Sequence, residues 1–161
     1  PDPGRALSCV DRGTGLQIVI IKDATMTPYE LTPNELDLIR NGANILTTMC
    51  HSQAFSAGWW RNPTTGEDPR DNPLCFSNKL ALIHSEVSEA LEGDRKSKMD
   101  DHLPHRQARE VELADAIIRI FDLAGAYSMD LGGAIAEKMQ YNAKRADHKV
   151  EARAAAGGKA Y

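Results

Sequence analysis

Apolar residues recur at intervals of three and four along four stretches of the chain, the period of a helix that buries one face. The first stretch opens with Thr32-Pro33-Asn34-Glu35. Thr32 suits the N-cap, Pro33 the first helical position, and Glu35 completes a capping box. Leu36, Ile39, Ala43, Leu46 and Cys50 form its predicted buried stripe. A run rich in Gly, Pro, Asn and Asp follows from about Gly58 to Cys75, too broken for a helix and too polar for a core. In the second stretch, Ser77 is the expected cap, Leu80, Ile83, Val87, Ala90 and Leu91 the core stripe, and Gly93 the expected end.

The third stretch is the most apolar. Val111, Ala114, Ile117, Ile118, Phe121 and Gly125 cover a wide arc and leave Glu112, Asp115, Arg119 and Asp122 as a polar stripe at 3,4,3 spacing. So apolar a helix belongs at the centre of a bundle, and its polar stripe must find partners there. Asp130 is placed to cap the fourth stretch, where Leu131, Ala134, Ile135 and Met139 can pack. The predicted fold is all-α, an antiparallel four-helix bundle. Residues 1–25 read as an extension of uncertain structure carrying one β-branched run, Ile18-Val19-Ile20-Ile21. Residues 26–150 read as the helical catalytic domain and 151–161 as a flexible tail.

Composition narrows the function. Net charge is −4, with 42% hydrophobic and 26% charged residues. These values describe a globular protein and argue against a general nucleic-acid binder, which needs a basic surface. The three cysteines, Cys9, Cys50 and Cys75, make neither a zinc pattern nor a disulfide framework, so buried or half-buried thiols in a reducing cytoplasm are expected. No apolar run reaches the roughly twenty residues of a membrane span.

Candidate chemistry lies in two signatures, Glu86-Val-Ser-Glu89 and Glu112-Leu-Ala-Asp115. Each holds two carboxylates at i and i+3 on one helical face. Facing each other, the pairs would make an all-oxygen shell suited to Mg²⁺ or Mn²⁺. Glu89, with Glu86 beside it, is a candidate proton acceptor for an attacking water. On the fourth stretch Lys138, Asn142 and Arg145 share a face and suit phosphate or sugar, with Lys79 a weaker addition. His51, Trp59 and Trp60 offer a hydrogen-bonding and stacking pocket for a base. Asp100-Asp101, in the link before Pro104, is expected to be solvated. The chain lacks Glu-x-x-His pairs, a Walker loop, a Rossmann fingerprint and zinc-ligand pairs.

In these residues the chain resembles the MazG-like all-α nucleoside triphosphate pyrophosphohydrolases, over about residues 43–147. Glu86-x-x-Glu89, Glu112-x-x-Asp115, Lys138, Tyr141-Asn142 and Arg145 carry the resemblance. So does the text around them: LALIHSEVSEALE, VELADAIIRIFDLAG and HSQAFSAGWW. The resemblance implies hydrolysis of a (deoxy)nucleoside triphosphate to the monophosphate and diphosphate. It further implies Mg²⁺ or Mn²⁺ held by Glu86, Glu89, Glu112 and Asp115, phosphate or sugar contacts from Lys138, Asn142 and Arg145, and a homodimer or homotetramer. Among substrates dGTP and GTP stand first, because the small type resembles the phage MazZ dGTP diphosphohydrolases. Small members of the family tend to end in Gly-Gly-Lys soon after the fourth helix. Here Gly157-Gly158-Lys159 follows a charged, Ala-rich segment.

Overall fold

The structure, a computed structural model, describes residues 30–158, so the extension 1–25 lies outside the described residues. Four long helices dominate: α1 (Pro33–Ser56), α2 (Cys75–Arg95), α3 (Ala108–Ala126) and α4 (Leu131–Lys144), with a short α5 (Val150–Ala154). No strand occurs among the described residues. A single bridge, Met99 with Gln107, folds back the link between α2 and α3. The protein is mostly helical, as the periodicity predicts.

Local chemistry explains most boundaries. The Thr32 hydroxyl accepts from the Glu35 N–H at 3.3 Å, and the Glu35 carboxylate accepts from the Thr32 N–H at 2.8 Å, the expected capping box. Asp130 accepts from the Gly133 N–H at 2.9 Å and caps α4. Two expectations for α2 need correction. The helix begins two residues before Ser77, whose hydroxyl donates back to the Leu74 carbonyl at 2.9 Å instead of capping. Gly93 does not end α2, which continues to Arg95. It is buried where α2 meets the start of α3, and a Cβ there would lie 3.0 Å from Ala108 Cβ. The glycine therefore serves close approach, not termination.

Helix α3 packs against both α1 and α2, the central position its composition predicts. Gly125 makes the contact with α1 possible, since a Cβ there would sit 2.5 Å from His51 Cβ. The core gathers Trp60, Cys75, Leu123 and Ala126, with Ala54, Phe76, Ile83 and Tyr127 packed against it. The connection between α1 and α2 is anchored by Arg70, which donates to the Ala126 carbonyl at 2.7 Å and pairs with Asp68. That pairing lowers the Asp68 carboxyl to about 2. Cys75 is buried and Cys50 half-buried, both free thiols as expected.

The predicted buried stripes are buried only in part. Ala43, Ala90 and Phe121 are in the core, but Leu46, Val87, Leu91, Ile117 and Ile118 remain 44–62% exposed. Helical period marks a face that can pack, whereas burial needs an element to cover it. Among the described residues no helix is long and apolar enough to cross a membrane. Residues Leu31–Tyr141 form one compact unit, and residues from Asn142 onward belong to another.

Candidate metal centre

The polar stripe of α3 meets two different surroundings. Near its end, Asp122 is 8% exposed and accepts two hydrogen bonds at Oδ1, from Trp60 Nε1 at 2.7 Å and from His51 Nδ1 at 2.9 Å. A carboxylate only accepts, so His51 carries its proton on Nδ1 toward Asp122. Trp60 is 3% exposed and lies edge-on to His51 and Tyr127. Asp122 is thus a satisfied buried acid that ties α1 and the following connection to α3.

Nearly three turns earlier on α3, Glu112 meets Glu86 and Glu89 of α2, and each of the three offers a carboxylate oxygen within 4.8 Å of the others. Spacing at i and i+3 puts Glu86 and Glu89 on one face of α2, and the packing of α2 on α3 brings Glu112 to them. Glu86 is 6% exposed, Glu112 half-buried and Glu89 exposed. Burial pushes the Glu112 carboxyl up, and the charges of Glu89, Glu86 and Asp115 push it further. Asp115 stands outside the compact trio but close enough to feel it. Its carboxyl is raised by burial and by Glu86, an effect that Arg119 opposes. The donors are all carboxylate oxygens, they converge, and they repel one another. Such a set fits a hard divalent cation.

Arg119 is a residue whose role the sequence left open. Its Nε donates to Glu86 Oε1 at 2.7 Å, so a guanidinium from the same α3 stripe already partners the most buried acid. Asp100 corrects a further expectation. It is buried, not solvated, and its Oδ1 accepts from the N–H groups of His102 and Leu103 at 3.0 and 2.6 Å. Asp101 is exposed, as expected, and pairs with Lys98. The signal for Asp100 was present as an Asx-type turn before Pro104, where a side chain competes for backbone donors.

The remaining candidates are dispersed. A cavity of about 350 Å³ reaches Asp115 and Asp122 but none of Glu86, Glu89 and Glu112, and is lined also by Trp59, Lys79, Arg119 and Gln53. It neighbours a wider cleft of about 850 Å³ that shares Trp59 and Lys79 with it. Trp59 is 69% exposed and presents a free aromatic face there. Lys79 sits with its ammonium 4.4 Å from the Trp60 ring centre. His51 and Trp60 line neither of these two spaces; His51 borders a separate cavity with Thr47 and Ser128. Lys138 lies over the Tyr141 ring at 4.9 Å. Asn142 and Arg145 belong to the other compact unit, where Arg145 pairs with Asp147 at 2.6 Å. Arg145 also lies one residue beyond α4.

Fold and site together define a helical protein with a carboxylate cluster at the junction of two packed helices, beside an aromatic-edged cavity. Compared with protein-family models, curated proteins and solved structures, the chain gives no significant match.

Proposed function

We propose that this protein is a metal-dependent (deoxy)nucleoside triphosphate pyrophosphohydrolase, an antiparallel helical bundle of the MazG-like type that converts dGTP or GTP to the monophosphate and diphosphate. The observation that carries the reading is the convergence of Glu86, Glu89 and Glu112, from two packed helices, within 4.8 Å. Bound Mg²⁺ or Mn²⁺ would supply neutralisation of phosphate charge and acidification of water. Glu86, Glu89 and Glu112 would hold the ion, with Asp115 beside them. Glu89, the exposed member, takes the proton of the attacking water. Trp59 stacks on the base and Lys79 meets phosphate at the cavity's edge, while Lys138 keeps the phosphate role that the resemblance gives it.

A homodimer or homotetramer belongs to the same reading. Leu91, Val87, Ile117 and Leu113 are 49–62% exposed on the two helices that carry the acids, apolar surface that a second subunit would cover. A second reading, a non-catalytic helical cation-binding interaction module, has one observation in its favour: Arg119 already partners Glu86.

The test is release of diphosphate and monophosphate from each common NTP and dNTP, with Mg²⁺ and with Mn²⁺. Guanine preference supports remodelling of the nucleotide pool. Preference for a pyrimidine or a non-standard base keeps the chemistry and changes the role to house-cleaning. Inactivity with every substrate and both metals favours the interaction module.

A further inference from the structure

Glu112, Asp115, Arg119 and Asp122 share one α3 stripe, yet only Arg119 brings a positive charge to it. Its guanidinium bonds Glu86 at 2.7 Å, and Glu86 is at once the most buried of the clustered acids and one of three oxygen donors within 4.8 Å. A cation bound by those donors and a guanidinium on Glu86 cannot both hold that carboxylate at full strength, since they compete for the same lone pairs and repel each other. Arg119 has somewhere else to go. Its side chain is 43% exposed and borders the cavity that also holds Lys79 and Trp59.

We propose that Arg119 is a displaceable internal counter-ion, holding Glu86 in the metal-free protein and yielding it to a divalent cation. The inference rests on the metal reading above. It adds a cost to metal binding that is set by this one residue. It also keeps a buried carboxylate partnered when no cation is bound, which an unpaired Glu86 would lack.

The experiment is titration of the full chain with Mn²⁺ alone, followed by calorimetry and by thermal unfolding, for wild type, Arg119→Gln, Arg119→Lys and Glu112→Gln. Arg119→Gln is expected to bind Mn²⁺ about tenfold more tightly than wild type, the scale of one lost charge-assisted hydrogen bond. Its metal-free form should melt lower and gain more from Mn²⁺, with Arg119→Lys between. Should Arg119→Gln fail to fold, the wild-type arginine Nε–H resonances decide the matter: Mg²⁺ should shift the Glu86-bonded signal and speed its exchange with solvent. Wild-type Mn²⁺ binding that Glu112→Gln removes, with no gain in Arg119→Gln or an unmoved Nε–H signal, overturns the counter-ion role and leaves the metal reading standing. No Mn²⁺ binding by wild type removes both.

Discussion

Two acidic centres lie on one stripe of α3, nearly three turns apart, and they obey different rules. Asp122 is buried and receives Trp60 and His51, both N–H donors. Glu112 faces Glu86, Glu89 and Asp115, all carboxylates, and its own carboxyl is pushed up by burial first and then by their charges. The first centre has its partners within the chain and fixes how α1, the connection and α3 assemble. The second is short of positive charge: Arg119 pairs with Glu86, and Lys98, already paired with Asp101, feels the charge of Glu112. Burial therefore does not separate the two centres. The charge of the surrounding groups does.

The largest expected effect tests the second centre. Glu112→Gln keeps shape and removes a charge, so turnover of the preferred triphosphate should fall by a hundredfold or more, about the scale of lost metal ligation or worse. The metal-free fold should be unharmed or slightly stabilised, because like-charge repulsion is relieved. Steady-state diphosphate release and urea unfolding, run on the same preparation, check both halves. Unchanged turnover would dissolve the functional side of the comparison.

Asp122→Ala should do the reverse. It strands the Trp60 indole N–H in the core and unpins His51, at about 3 kcal/mol in urea unfolding. Loss of activity should then track loss of fold. A milder version is Gly125→Ala, whose new Cβ would collide with His51 Cβ at 2.5 Å and with the Thr47 carbonyl at 3.3 Å. About 2 kcal/mol of destabilisation is expected from the forced shift of α1 against α3. A destabilisation near zero in both variants would show that the Asp122 centre does not organise the helices.

Much of this division was legible in the sequence, and the limits are physical. The 3,4,3 spacing placed Glu112, Asp115, Arg119 and Asp122 on one face, and the capping chemistry of Thr32 and Asp130 set two helix starts. Period alone cannot say which partner each member meets. Arg119 found Glu86 and Asp122 found Trp60 through packing between elements distant in sequence. For the same reason Trp60, adjacent to Trp59 and read with it as one aromatic pair, became core while Trp59 stayed at the cleft's edge. Gly93 read as a stop because glycine often follows a helix, but here Ala108 demanded its missing side chain. Leu91 and Ile117 read as core because amphipathic patterning reports a sticky face without naming what covers it.

The smallest expected effect is the pH dependence of the metal-free protein, and its sign distinguishes the centres. The Glu112 and Asp115 carboxyls are raised, chiefly by burial and then by neighbouring acids. A raised carboxyl binds more protons folded than unfolded, so its ionisation weighs against the fold. Acidifying from neutral through the raised values toward about pH 4 should therefore stabilise the protein. Asp68 behaves oppositely, since Arg70 holds it down to about 2, and its contribution is lost as pH falls from the ordinary aspartate range through that value. A modest rise in melting temperature between neutral and mildly acid pH, followed by a fall, is the expected profile. Mg²⁺ should flatten the rise by neutralising the same acids, and Glu112→Gln should shrink it. A profile that only falls on acidification, with no response to Mg²⁺, would mean that the clustered carboxylates are as well solvated as any surface acid, and the contrast with Asp122 would then be one of exposure alone.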